Sequence, residues 1–377
     1  MGATDVTLRD TGIAEGEASA PRSPGQIFWR HFRRSQAAVA GGVVLILFYG
    51  AALFAPFLAP YSFEEQNRFD TWHPPMRIHV RNADGEWKRP FVYESEMVDP
   101  MRRKYAEVTT GEYPVRLLVK GVPYKLLWLI PTDIHLFGVE EPGRVYLLGT
   151  DQLGRDVFSR LLFGGRISLS VGLFGILITY SLGLLFGGIA GYVGGLTDNI
   201  LMRVSEIMMS VPALYLILAL RAAFPADLRS DVMYLIIILI LSLVLWASLA
   251  RIIRGMVLSL KENEYVTAAE ALGLSSMRII TRHILPNTMS FVIVAATISI
   301  PGYILGEVAL SFLGAGIQEP IPSWGNMLQQ AQSISVLTQY RWVLAPGMLI
   351  FFTVLAFNFL GDGLRDALDP KRVEGGK

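Results

Sequence analysis

The chain contains no cysteine, so disulfides, thiolate metal ligands and cysteine nucleophiles are excluded. Charge is scarce as well: Asp, Glu, Lys and Arg make up 17% of the 377 residues, against about 25% in a typical soluble domain. The 33 basic and 32 acidic side chains nearly cancel to a net +1, which leaves no global field for holding a nucleic acid. No G-x-x-x-x-G-K-[ST] loop occurs, so the chain does not cradle nucleotide phosphates in that manner. What is present is apolar residue, 52% of the total, and a very uneven distribution of the few charges.

Six stretches carry no Asp, Glu, Lys, Arg or His: Ser35–Leu58, Ile167–Thr197, Ile207–Leu220, Val232–Ala250, Ile284–Gly306 and Trp342–Gly361. A helix crossing a hydrocarbon layer of about 30 Å needs about 20 apolar residues. Five of the runs meet or nearly meet that length. The third reaches it only from Ile200 to Ala223, with Arg203, Glu206 and Arg221 near its ends, where long side chains can reach the headgroups. A soluble core would have to bury helices that are apolar all round inside a shell with little charge. The pattern therefore predicts an all-α multispanning membrane protein with six transmembrane helices.

Arg30, His31, Arg33 and Arg34 precede the first run, so the positive-inside rule keeps the N-terminus in the cytoplasm. The run exceeds the apolar core of about 7–15 residues found in a cleaved signal peptide, and reads as an anchoring span. Six spans then leave both termini cytoplasmic. Residues 1–34 and 364–377 become tails, 35–59 the first span, 60–148 an extracytoplasmic insertion, and 149–363 a core with helices 2–6. Arg251, Arg254, Lys261, Arg278 and Arg282 fall in or beside a cytoplasmic loop, 251–286, and Arg365, Lys371, Arg372 and Lys377 in the C-terminal tail, as that orientation requires.

The insertion reads as a small domain mixing short strands with loops. Arg77–Arg81 alternates polar and apolar, Asn82–Gly85 supplies turn residues, and Glu86–Tyr93 resumes extended character, a hairpin signal. Pro114–Lys120 is a further strand candidate, and the prolines from Pro74 to Pro142 oppose long helices. His73, His79 and His135 lie here, but their spacing is not that of a metal site and no cysteine completes a set.

In the loop 251–286, Glu264 opens a stretch of strong helix formers with Tyr265, Ala268, Ala269 and Leu272 at i, i+3, i+4 and i+7 along one face. Gly273 suits a left-handed C-cap with Leu274 as its apolar partner, Ser275 an N-cap, and Pro286 the first turn of the next span. On spacing alone this is either a solvated hairpin between two spans or a shallow docking surface, whose alanines and glycine let another protein approach the backbone.

These residues resemble the permease subunits of ATP-binding-cassette importers, in particular the dipeptide, oligopeptide and nickel branch. The family's cytoplasmic motif is matched by Ala268-Ala269, by Gly273 and by Leu285-Pro286, while Thr267 stands where the motif has Glu and His283 where it has Ile. LLGTDQLGRDVFSRLLFGGRISL at Leu147–Leu169, EVALSFLGAGIQEPIPSWGNML at Glu307–Leu328 and GDGLRDALDPK at Gly361–Lys371 look like the same branch. The resemblance covers about Arg30–Leu58 and Leu147–Lys371. It implies the type I importer permease fold, a coupling helix seated in a cytoplasmic ATPase, and residence in the inner membrane of a prokaryote. It also implies partners: a second permease, two ATPase subunits or domains carrying ATP and Mg, and an external substrate-binding protein. The chain itself would bind no cofactor or metal and catalyse no reaction.

Asp151, Arg155 and Asp156 precede an amphipathic stretch. They belong either to an N-capped helix entering the second span or to a gate or binding-protein contact. Glu307 lies near the outer end of the fifth span, where it is an interhelical hydrogen-bonding group or a functional acid. Gly183, Gly187, Gly188 and Gly191 form a helix-packing stripe, and Pro212 and Pro301 are expected to kink their spans. Two rivals remain, an ion-coupled secondary transporter working alone and an intramembrane hydrolase. Both want titratable groups in mid-span, which these runs lack.

Overall fold

The computed structural model describes residues 24–225 and 228–368. The first 23 residues and Lys371, Arg372 and Lys377 of the predicted basic tail lie outside the described residues. The chain enters through α1 (Pro24–Arg34) and α2 (Gln36–Leu53). Ser35 lies between them, its hydroxyl accepting from Ala38 N–H at 3.3 Å as the N-cap of α2. A short α3 (Ala55–Leu58) turns the chain away from α2.

Strands follow. β1 (His79–Arg81), β2 (Trp87–Asp99) and β3 (Lys104–Pro114) form one antiparallel sheet in that order, with His79 opposite Phe91 and Arg81 opposite Trp87. β4 (Arg116–Leu126) and β5 (Ile130–Gly138) make a separate hairpin with Val119 opposite His135. At 13, 11, 11 and 9 residues, β2 to β5 are longer than the short strands expected of the insertion. The prolines are accommodated at strand ends and beside register shifts, where no ladder N–H is required.

The helical part begins with α4 (Val157–Val193) and continues through α5 (Gly195–Ser210), α6 (Ala213–Ala222), α7 (Ser230–Leu260), α8 (Glu264–Ala271) and α9 (Ser276–Ile279). After α9 come α10 (Leu285–Phe312), α11 (Trp324–Leu328), α12 (Ile334–Gln339) and α13 (Ala345–Leu368). Among the described residues, five helical runs are long and apolar enough to cross a membrane: Gln36–Leu53, Val157–Val193, Ser230–Leu260, Ser276–Phe312 and Arg341–Leu368. The third apolar run is not one straight helix. Its halves, α5 and α6, meet at 92°. The break is sharper than a kink because Pro212 pushes the residue before it out of the helical region, leaving Val211 extended at φ −95°, ψ 131°. By contrast α10 continues through Pro301.

The long α4 is the centre of the bundle and packs against α2, α7 and α10. Leu169 meets Leu45, Ile300, Ile304 and Phe357 in one buried cluster, and Val171 meets Met233, Ile237, Leu241 and Tyr303 in a second. Small residues set these distances. A Cβ on Gly187 would stand 2.4 Å from the Ala250 carbonyl oxygen, and one on Gly183 2.5 Å from a Leu249 methyl, so α7 lies almost on the α4 backbone. Gly191 continues that stripe against Val257, whereas Gly188 faces Ile280 on the turn between α9 and α10.

Candidate functional site

The loop between α7 and α10 is built as a rigid corner. Gly273 sits at φ +74°, the left-handed conformation that glycine adopts without strain. Its N–H donates to Glu270 O at 2.8 Å and Leu274 N–H to Ala269 O at 3.3 Å, the paired bonds of a Schellman cap ending α8. Ser275 starts α9, and a π turn, Ile280–Ile284, joins α9 to α10 without a gap. Pro286 explains that turn: it has no N–H for Arg282 and its ring would crowd that carbonyl, and the wider turn relieves both.

The faces of α8 sort its residues. Glu264, Tyr265, Ala268 and Leu272 are exposed, Leu272 at 81%, whereas Val266 and Ala269 are buried against Ile279, Ile284 and Val257. Ala269 therefore does not share the open face with Tyr265, Ala268 and Leu272 as its spacing suggested. Packing of the loop on its own bundle takes it inward. Leu285 is half-buried in the same cluster and Pro286 exposed beside it. Two polar contacts fasten the loop to the bundle. Tyr192 Oη donates to Glu270 Oε1 at 2.8 Å, and Asn287 Nδ2 donates to Tyr265 Oη at 3.4 Å. The exposed shelf is thus tied to the end of α4 and the start of α10.

At the other end of α4, Asp151, Arg155 and Asp156 are all buried, which removes them from any exposed contact surface. Asp151 Oδ1 accepts from the N–H groups of Leu153 and Arg155, closing a tight loop, and its Oδ2 receives Arg155 Nε at 2.7 Å. Arg155 also forks onto Glu319, and Arg160 adds a further bond to the same carboxylate at 2.9 Å. Asp156 caps α4, its Oδ2 accepting from Ser159 N–H at 2.8 Å and Ser159 Oγ at 2.6 Å. Its Oδ1 is buried with no partner among the described residues, and burial pushes the carboxyl up to about 7. Sequence reasoning missed Glu319 and Arg160. The available signal was that Glu319 is the only charged residue between Glu307 and Arg341.

Glu307 is fully buried on α10 and accepts from two hydroxyls, Ser168 on α4 at 2.9 Å and Ser311 at 2.7 Å. Each serine in turn accepts a backbone N–H, Ser168 from Trp324 and Ser311 from Ile317, both at 3.1 Å. The acid therefore pins α4, α10 and the start of α11 together. The three histidines of the insertion are committed separately. His73 lies 2.7 Å from Ser95 Oγ, His135 lies 2.7 Å from the Ala59 carbonyl oxygen, and His79 faces Glu107.

The fold and these sites define a multi-pass membrane protein with an exposed helical corner between two of its long apolar helices. Residues 183–374 match the family described as binding-protein-dependent transport system inner membrane component, and residues 23–75 the N-terminal transmembrane domain of oligopeptide transport permease C. The chain is 34% identical to the dipeptide transport system permease protein DppC of Bacillus subtilis, over 94% of this chain and 89% of that one. It is 33% identical to the glutathione transport system permease protein GsiD of Pectobacterium atrosepticum, over 98% and 96%. To the oligopeptide permease OppC of Haemophilus influenzae it is 43% identical over 60% and 70%. The chain belongs to this family. It is a permease subunit of an ATP-binding-cassette importer, of the peptide and nickel branch, and a transport subunit whose ATPase activity resides on separate chains.

Proposed function

We propose that this chain is one of two permease halves enclosing an inward pathway for small peptides, with α8 as the coupling helix that receives an ATPase. The carrying observation is the geometry of α8: a shallow exposed shelf of Tyr265, Ala268 and Leu272 on a corner locked from behind by Val266, Ala269 and the Schellman cap. Closure of the nucleotide-bearing ATPases, which hold ATP and Mg, would push α8. Tyr192–Glu270 and Asn287–Tyr265 would pass that displacement to α4 and α10. In this reading Ala269 and Leu285 position the shelf rather than touch the partner.

The names of the relatives support a peptide substrate, since dipeptide, oligopeptide and glutathione carriers all move short peptides. The basic last turn of α1, with His31, Arg33 and Arg34, supports a cytoplasmic N-terminus in the inner membrane. With α5 and α6 counted as one broken third span, the total is six, both tails are cytoplasmic, and 60–148 lies outside, where a binding protein delivers solute. Asp151, Arg155, Asp156 and Glu307 would hold the outer end of the pathway in shape.

The experiment is co-expression with candidate partner subunits, purification, and ATP-dependent uptake of labelled di- and oligopeptides into proteoliposomes. Uptake that needs ATP and an external binding protein supports the reading. Ion-driven uptake by the isolated chain would replace it with the secondary-transporter alternative.

A further inference from the structure

We propose that the β4–β5 hairpin is a membrane anchor, its turn seated in the outer leaflet of the bilayer beside the ends of α2 and α4. The turn reads Lys125-Leu126-Leu127-Trp128-Leu129-Ile130-Pro131. Hairpin turns in water are made of Gly, Asn and Asp, which tolerate positive φ and hydrate well. Here Leu127 and Trp128 occupy that region at φ 51° and 61°. Bulky apolar side chains rarely adopt it. The apolar groups are also left bare by the chain itself: Trp128 is 68% exposed, Leu129 81% and Ile130 58%. A strained turn that displays contiguous apolar surface marks a contact with something apolar.

Its position identifies that contact. β5 runs beside the first turns of α4, with Phe137 packed on Phe158 at 6.0 Å between ring centres. At the other end of the strand, Trp128 lies under the Arg166 guanidinium at 5.0 Å. Phe158 to Arg166 is a descent of about 12 Å along the helix. Arg166 is the last charged residue before the run starting at Ile167. The same guanidinium donates to Ala52 O at 2.7 Å and Leu53 O at 2.8 Å, the final carbonyls of α2. Arg166, the end of α2 and Trp128 therefore share one level, the boundary at which the apolar surfaces of two spans begin. Tryptophan is the side chain most suited to that boundary, and Lys125 beside it can reach the phosphates. Leu129 and Ile130 then continue the lipid-facing surface of the spans, and the insertion is held to the membrane at a point distinct from its covalent links.

The native chain has no cysteine, so Leu129→Cys and, as a solvent control in the β1–β2 turn, Asp84→Cys each introduce one thiol. Both positions are exposed, so neither change disturbs packing. The full chain, assembled with cysteine-free partner subunits in phosphatidylethanolamine–phosphatidylglycerol nanodiscs, is spin-labelled and its collision rates with oxygen and a water-soluble nickel chelate are measured. The anchor predicts that the label at 129 collides with oxygen severalfold more than with nickel, with the order reversed at 84. Equal access to both reagents at 129, as for an exposed loop, overturns it. Shielding from both overturns it too, because the turn would then be covered by a partner protein.

Discussion

Arg155 and Glu319, 164 residues apart, meet side-on as two parallel bonds, Nη1 to Oε2 at 2.7 Å and Nη2 to Oε1 at 2.9 Å. The same carboxylate neutralises Arg160, which is also buried, so one acid serves two cations at the mouth of α4. Arg155→Lys keeps the charge but replaces the planar fork with one point donor. Glu319→Gln leaves both cations sharing Asp151. Each change should lower unfolding stability in detergent by about 1.5–3 kcal/mol, the range for bonds to charged groups. The double variant should lose less than the sum, because the two residues share one interaction. A double-mutant cycle in denaturant checks this, and strict additivity would refute the shared contact.

Asp156, just outside the α4 span, predicts a pH dependence. Its folded carboxyl, raised to about 7 by burial, lies above the ordinary value of 3.8. The folded state therefore holds this proton more tightly than the unfolded chain does. The associated stability is fully present below pH 3.8 and is lost as pH rises through about 7. Asp156→Asn keeps an oxygen to cap Ser159 and cannot ionise. Melting curves between pH 5 and pH 8.5 should fall with pH in the native chain, and the variant should lose that component of the slope. Identical slopes would assign the effect elsewhere.

The apolar runs were legible because hydropathy is a one-dimensional signal: a helix needs only its own residues to be long and apolar. The Gly273 corner was legible for the same reason, since capping is local chemistry. What escaped depends on three-dimensional register. Ala269 shares a face with Tyr265 and Leu272 by spacing, yet the corner rotates it onto Ile284. Asp151, Arg155 and Asp156 read either as an N-capped helix entry or as a gate or binding-protein contact, and only the fold brings Glu319, 164 residues along the chain, onto Arg155. Val211-Pro212 read as a kink, and only the 92° angle distinguishes a bend from a break. Spacing alone does not single out Trp128 and Leu129, because the positive-φ turn that bares them is visible only in the fold.

Gly187 makes a packing prediction with an internal control. A Cβ there meets the Ala250 carbonyl oxygen at 2.4 Å and Ile253 Cβ at 2.9 Å, and neither can move without displacing α7. Gly187→Val should therefore abolish monodisperse protein in size-exclusion chromatography. Gly255, in the interior of α7 with nothing within 4 Å of an added Cβ, should behave oppositely. Gly255→Ala is expected to be neutral or to stabilise by about 0.5–1 kcal/mol, because alanine is the better helix former. Equal tolerance of both changes would refute the close α4–α7 approach.

The coupling reading makes the sharpest prediction, because backbone strain and surface docking can be separated at adjacent residues. Leu272 is exposed and its side chain supports nothing inside the bundle, so Leu272→Asp should leave the melting temperature unchanged. It should nevertheless place an unpaired carboxylate in an apolar interface, and co-purification of ATPase subunits should fall at least about tenfold, equivalent to about 1.4 kcal/mol. Gly273 tests the other half. Asparagine tolerates a left-handed φ, so Gly273→Asn should retain the corner and most of the ATPase. Gly273→Arg, with a long side chain on the open face, should lose the ATPase and ATP-driven uptake together. If Leu272→Asp and Gly273→Arg both purify with a full complement of ATPase and undiminished uptake, α8 is a solvated hairpin and the shelf has no partner.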